Sequence, residues 1–291
     1  MANKIMTSMN DSFKLLNTRT IPCLGFGTYL ATRGKNPDVI GQAIRAGYRH
    51  IDTASLYGTE PEVGEAIQKS RIPREEFFLT SKVYKTDMGY EKTKEAFQRS
   101  LDKLQTTYLD MYMIHWPLPY VNYTDWRKLN LDTWRAMEEL YFDGKIRVLG
   151  VCNCMPHHLL NIMENSIVMP AVDQLELHPG YMQEEAVEFC RKHGIVVEGW
   201  SPTGRGVLLE NEFLKGLAAK YEVSVAQICL RFLLQSNILP LIKTSSLERM
   251  KENQDVFRFQ ISEEDMEAIR NMPLAGWSGE HPDRLRVAAV D

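Results

Sequence analysis

Four polar residues fall at or just after short apolar runs: Asp52 after His50 and Ile51, Tyr57 in the segment that follows, Lys82 near the end of the run 77–83, and His115 closing the run 109–115. Those residue types suit acid catalysis at a carbonyl. A tyrosine hydroxyl, with an ordinary pKa of about 10, is a poor proton donor at neutral pH, and a nearby ammonium is expected to lower that value by favouring the phenolate. Asp52 would hold Lys82 in place, and His115 would hydrogen-bond a carbonyl oxygen and position it for protonation by Tyr57. Protonation alone does not reduce a carbonyl, so the set needs a hydride donor, which means a nicotinamide cofactor. Taken singly, each residue also fits a structural ion pair or a satisfied core side chain; the reading rests on their convergence.

A nucleotide needs a phosphate site, and the glycine fingerprint of dinucleotide-binding turns is missing. Gly25-Phe26-Gly27-Thr28-Tyr29-Leu30 ends in Leu, and Gly204-Arg205-Gly206 runs into apolar residues. The better anion site is Lys243-Thr244-Ser245-Ser246 with Arg249, where hydroxyls, two cations and the N–H groups of a helix start coincide.

The elements that must position these groups alternate. Apolar, strand-like runs occur at 24–27, 49–52, 77–83, 109–115, 147–151, 171–177, 195–200 and 240–243. Between them, helical spacing occurs at 39–46, 63–69, 90–104, 133–142, 157–163, 184–192, 225–234 and 247–256. Asn36-Pro37 reads as a helix cap with a first-turn proline, and Thr59 with Glu62, Ser224 with Gln227 and Ser245 with Glu248 have capping-box spacing. Eight strand–helix units in about 230 residues, with no linker or composition break, predict one (β/α)₈ barrel domain over 1–291, with its active site at the C-terminal strand ends. A hairpin of 13–16 and 21–24 precedes the barrel, and a helix at 262–272 and a tail at 273–291 follow it.

Composition narrows the class further. The 291 residues carry 34 Lys and Arg against 38 Asp and Glu, so no broad basic surface exists for nucleic acid. Five cysteines, without a C-x-x-C pair, point to a reducing cytoplasm rather than a disulfide framework. Cys152 and Cys154 are expected to point to opposite sides of a strand end. No stretch approaches a membrane span, and the N-terminus lacks a secretory apolar core. His157-His158 opens a helix without carboxylate or Cys partners at ligand spacing, so no metal site is expected.

The chain resembles the aldo-keto reductase family over nearly its whole length. The segment from Gly47-Tyr48-Arg49-His50-Ile51-Asp52 to Tyr57-Gly58-Thr59-Glu60 is similar to the family's most specific signature. Ser81-Lys82-Val83, Ile114-His115-Trp116-Pro117, Asp173-Gln174-Leu175-Glu176-Leu177-His178-Pro179 and Lys243 through Arg249 to Asn253 resemble further motifs in the expected order. The short tail resembles that of bacterial members of the diketogluconate and methylglyoxal reductase type. The resemblance implies a monomeric (β/α)₈ barrel that uses NADPH to reduce aldehydes or ketones, with Asp52, Tyr57, Lys82 and His115 as the catalytic set.

It also implies Thr28 and Asp52 near the nicotinamide ribose, and Asn153 and Gln174 on the carboxamide beside Cys152. Trp200 would stack on the nicotinamide, and Ser201, Pro202, Thr203 and Gly204 would line the pyrophosphate. Lys243, Thr244, Ser245 and Arg249 would hold the 2′-phosphate and Asn253 the adenine. Cys152 stands where Ser is usual, Asp173 for Asn, Trp200 for Tyr, Thr203 for Leu and Ile242 for Pro, and none of these removes a catalytic group. Tyr29, Tyr84, Trp116 and Trp277, with His115, are expected to form the substrate pocket. The competing reading is a nucleotide-binding regulatory or sensor barrel with little turnover. The intact acid argues against it, since a binding module has no need of a proton donor.

Overall fold

The structure, a computed structural model, describes residues 5–33, 36 and 38–284. A hairpin of β1 (Ser12–Lys14) and β2 (Thr20–Pro22) pairs Phe13 with Ile21. Eight parallel strands follow: β3 (Gly25–Gly27), β4 (His50–Asp52), β5 (Phe78–Val83), β6 (Leu109–Ile114), β7 (Ile146–Cys152), β8 (Val172–Glu176), β9 (Val196–Trp200) and β10 (Leu239–Ile242). They close into a barrel in sequence order, β10 returning to β3 with Leu241 opposite Gly25. The hairpin lies at the N-terminal end of the barrel, where Asn17 Nδ2 donates to the Arg147 carbonyl at 2.9 Å.

The strands are short and buried on both faces, as a parallel sheet wrapped by helices requires. Every residue of β5 and β6 is buried. The closing seam has no room for a side chain at Gly25: a Cβ there would lie 2.3 Å from Leu241 Cδ2 and 2.8 Å from His50 Nδ1.

The outer ring is α1 (Val39–Ala46), α2 (Glu60–Ser70), α3 (Tyr90–Leu104), α4 (Trp126–Phe142), α5 (Pro156–Met163), α6 (Glu184–Lys192), α7 (Glu212–Tyr221), α8 (Val225–Gln235), α9 (Leu247–Gln254) and α10 (Glu263–Arg270). α3 shows why these segments are helical: Thr93, Ala96, Phe97, Ser100, Leu101 and Leu104 form one buried stripe at helical spacing.

Several expected boundaries move. α2 starts at Glu60, and the Thr59 capping box does not form, because the Thr59 hydroxyl bonds Thr28 Oγ1 at 2.9 Å and Thr53 Oγ1 at 3.0 Å instead. α9 is capped by Ser246, one residue after the expected Ser245, and ends at Gln254. Asp38 precedes α1, and Pro37 lies outside the described residues. α7 was not expected; its signal is Asn211, which accepts from Leu214 N at 3.1 Å, followed by buried Leu214, Leu217 and Ala218. The tail is described to Arg284 and folds back over the C-terminal strand ends. Ser278 N and Oγ donate to Glu176 at 2.9 and 2.6 Å, and Gly276 packs against Gly204 where a Cβ would lie 3.0 Å away. No helix among the described residues is long and apolar enough to cross a membrane.

Candidate active site

Asp52 ends β4 and Lys82 lies in the neighbouring β5, so strand register alone brings them together. Lys82 Nζ is 2.7 Å from each Asp52 carboxylate oxygen and 2.9 Å from the Thr53 carbonyl, so its three protons have three acceptors. Tyr57 sits in the single turn Ser55–Tyr57, tied down by Ser55 Oγ donating to the Lys82 carbonyl at 3.0 Å. The ammonium lies 5.1 Å from the centre of the Tyr57 ring. The Tyr57 hydroxyl is 3.4 Å from Nε2 of His115, the residue after β6. All four residues therefore meet at one strand-end cluster.

Electrostatics corrects one expectation. Burial is the largest influence on Tyr57 and holds its hydroxyl above the ordinary range; Lys82 opposes this shift, but does not reverse it. Tyr57 thus keeps its proton through neutral pH. Burial is the largest influence on Lys82 and opposes its charge, yet Asp52, Tyr57 and Cys152 together outweigh it and the net shift is upward. Burial, then Lys82 and Lys85, hold His115 well below its usual value, so the ring is neutral.

Beside this cluster, Gln174 on β8 donates from Nε2 to Asp52 Oδ2 at 2.9 Å and to Glu198 Oε2 at 2.8 Å. Its Oε1 faces the Cys152 thiol at 3.7 Å. Asn153, in the left-handed region at φ 60°, donates to the His115 carbonyl at 3.1 Å and accepts from the Trp200 indole at 3.0 Å. That turn also separates the two cysteines. Residues two apart on a regular strand would share a side, but Cys152 meets Gln174 while buried Cys154 offers its backbone N–H to Asp173 at 3.4 Å. Thr28 is fully buried, its hydroxyl donating to the Asp52 carbonyl at 3.0 Å. Ser201 to Gly204 form the turn after β9, with Gly204 at φ +56° and its other side covered by the tail.

The anion site is laid out differently. Lys243, Ser245 and Arg249 are exposed at the start of α9, and neither cation has an ion-pair partner among the described residues. Thr244 is buried and accepts from Ser246 N at 3.2 Å, and Asn253 is buried on α9. Two unpaired cations beside a helix N-terminus fit a phosphate group.

Of the expected pocket aromatics, Tyr29 lies 5.0 Å from the Tyr57 ring and Tyr84 5.8 Å from that of His115. Trp116 is half-buried next to His115. Trp277, in the tail, stacks on Tyr181 at 5.5 Å and donates to the Glu280 carbonyl at 3.1 Å.

Sequence reasoning missed Glu198 and His50, both fully buried in the barrel interior. The available signal was a carboxylate inside the apolar run Val196-Val197-Glu198-Gly199-Trp200. It also missed that the tail supplies a carboxylate to the histidine pair: Asp283 Oδ1 lies 3.5 Å from His157 Nε2 and 3.1 Å from His158 Nε2. A metal does not follow. Met155 N donates to His158 Nδ1 at 3.1 Å, so neutral His158 carries its proton on Nε2 and offers Asp283 a donor rather than a lone pair.

A family model described as the aldo/keto reductase family matches residues 24–272. The glyoxal reductase of Bacillus subtilis (strain 168) is 42% identical over 280 residues, covering 96% of this chain and 99% of that protein. The 9,11-endoperoxide prostaglandin H2 reductase of Trypanosoma cruzi (strain CL Brener) is 40% identical over 275 residues, covering 93% and 94%. The solved structure of a Bombyx mori aldo-keto reductase in complex with NADP matches with a TM-score of 0.83 at 30% identity, covering 95% of this chain and 94% of that one. Sequence, barrel and strand-end cluster agree: the chain belongs to the aldo/keto reductase family and is an NAD(P)H-dependent reductase of carbonyl compounds.

Proposed function

We propose that the chain reduces small aldehydes, ketones and dicarbonyls to alcohols with NADPH, and that Tyr57 donates the proton. The observation that carries this is the 3.4 Å separation of Tyr57 OH and His115 Nε2 beside the Lys82 ammonium, which lets one carbonyl oxygen lie against both. Neutral His115 orients that oxygen. Tyr57 gives it a proton, and Lys82, held by Asp52, stabilises the phenolate left behind. A bound reduced nicotinamide supplies the hydride to the carbonyl carbon. The phenolate then recovers a proton from solvent.

The cofactor fits the residues present. Gln174 spends both amide protons on Asp52 and Glu198, which leaves Oε1 to accept from a carboxamide N–H. Asn153 would assist there, beside Cys152. Trp200 would cover the nicotinamide face, Thr28 and Asp52 would flank the ribose, and residues 201–204 the pyrophosphate. Lys243 and Arg249, which have no ion-pair partner among the described residues, favour with Thr244 and Ser245 a 2′-phosphate and hence NADPH over NADH, with Asn253 at the adenine. Support for dicarbonyl substrates comes from the likeness to a glyoxal reductase. Tyr29, Tyr84, Trp116 and Trp277 are the aromatics we assign to the pocket.

The test is an NADPH titration followed by turnover against a panel of short aldehydes, ketones and dicarbonyls, read as NADPH oxidation. Oxidation with at least one class is expected. Tight NADPH binding with no oxidation by any substrate would replace this reading with that of a nucleotide sensor.

A further inference from the structure

Beneath the strand-end cluster, two buried atoms face each other without a satisfied hydrogen bond. Glu198 Oε1 and His50 Nε2 are 3.5 Å apart, both residues are fully buried, and neither atom has another partner among the described residues. A carboxylate oxygen and an unprotonated ring nitrogen are both acceptors, so this geometry requires a proton between them. Burial and then Lys82, against an opposing backbone carbonyl of Pro22, hold the His50 ring down at about 3, so it is neutral and has a single N–H to place on one of its two nitrogens. Glu198 is fully buried, receives one hydrogen bond, from Gln174 Nε2, and lies near the Asp52 carboxylate; these surroundings assign the shared proton to Glu198, whose carboxyl is pushed up to about 8 by burial and by Asp52, against Gln174 and Lys82.

We propose that Glu198 is a positioning residue: protonated, it completes a chain from His50 through Glu198 and Gln174 to Asp52 that holds the Asp52 carboxylate on Lys82, and its ionisation shuts the reaction down on the alkaline side. The chain is continuous, because the one amide nitrogen of Gln174 reaches Glu198 Oε2 at 2.8 Å and Asp52 Oδ2 at 2.9 Å. The groups around Glu198 come from each packed strand: His50 and Asp52 from β4, Lys82 from β5, Cys152 from β7 and Gln174 from β8. On the β10 side it pairs with Leu239. Cys152 is held well above its ordinary value by burial and stays a thiol. Losing the Glu198 proton would place a second negative charge beside Asp52 with only one ammonium to share. The Asp52 carboxylate would then be repelled from its seat and Lys82 drawn away from Tyr57. Tyr57, held above its ordinary value, is not the group that titrates near neutral pH.

This inference rests on the carbonyl-reductase reading, and its test separates the two. The first measurement is an infrared titration of the wild-type protein without cofactor, where a neutral carboxyl C=O band should disappear with a midpoint near pH 8. The difference spectrum between wild type and Glu198→Gln at neutral pH should show the same band, which cancels any signal from buried Asp173. The second measurement is kcat against pH. Wild type should fall by about tenfold per unit above its limb, whereas Glu198→Gln should show no fall between about pH 7 and 9. Identical infrared spectra, or an alkaline limb unchanged in Glu198→Gln, would overturn the proposal. Failure of the reductase reading looks different: NADPH oxidation is then absent from both proteins at every pH, whatever the infrared band does.

Discussion

At the strand ends Lys82 is fully buried and its ammonium meets three oxygens, whereas at the start of α9 Lys243 and Arg249 stand exposed without an ion-pair partner among the described residues. Both regions concentrate positive charge, but among the described residues only the first has its counter-charge inside the protein. The interior cluster is assembled before any ligand arrives, and its order is bound up with the stability of the barrel. The α9 arm leaves its charges open, and a phosphate would be their first close partner. Damage to the first should therefore cost fold and chemistry together, while damage to the second should alter only which nucleotide is held.

The largest expected effect is at Lys82. Lys82→Met strands the Asp52 carboxylate in the interior, which should cost about 3–5 kcal/mol of stability. It should also lower kcat by about 10²–10⁴-fold through the weakened acid. Denaturant midpoints and turnover check both, and a variant that loses only one of the two would separate stability from chemistry here. Arg249→Ala comes next. It should weaken NADPH by about 10–100-fold, in line with one charged hydrogen bond of about 1.5–3 kcal/mol, with NADH affinity and melting temperature little changed. Equal weakening of both nucleotides in a binding titration would remove the contrast between the two regions.

A further effect follows from pH. Glu198 is raised to about 8 from an unfolded value near 4.5, so its contribution to stability is fully present below that unfolded value and is lost as pH rises through about 8. His50 is lowered to about 3 from 6.5, so below 6.5 the unfolded chain takes up a proton that the native ring refuses, and stability falls as pH drops toward 3. Denaturant midpoints should therefore peak between these limits, and Glu198→Gln should flatten the alkaline side alone. The smallest effect is expected of Cys152→Ser, which strengthens a weak donor to Gln174 Oε1. It should change cofactor affinity by about 0.5–1.5 kcal/mol and leave kcat near wild type.

The strand-end residues were legible because a parallel barrel confines them. Once the alternation places Asp52, Lys82 and His115 at the C-terminal ends of successive strands, closure of the sheet brings them together without any further signal. The phosphate arm was readable for a similar reason, since its cations, hydroxyls and helix start are contiguous. What the sequence hid are contacts between elements distant in the chain. Asp283 lies far from His158 in sequence, and only the folded tail joins them. Glu198 was submerged in an apolar strand, where its neighbours across the barrel, His50 and Gln174, decide its charge. The direction of the Tyr57 shift also escaped, because the ammonium was visible in the sequence while the extent of burial was not. Thr59 had the right spacing for a cap, but the hydroxyls of Thr28 and Thr53, just past the ends of β3 and β4, took its side chain.

The account turns on Tyr57 as the proton donor. The direct test loads wild-type protein and Tyr57→Phe with NADPH, mixes each with a short aldehyde that the wild type reduces, and follows a single turnover of NADPH oxidation. The account predicts that the variant still binds NADPH but transfers hydride at least about 100-fold more slowly. Transfer at the wild-type rate in Tyr57→Phe would contradict it.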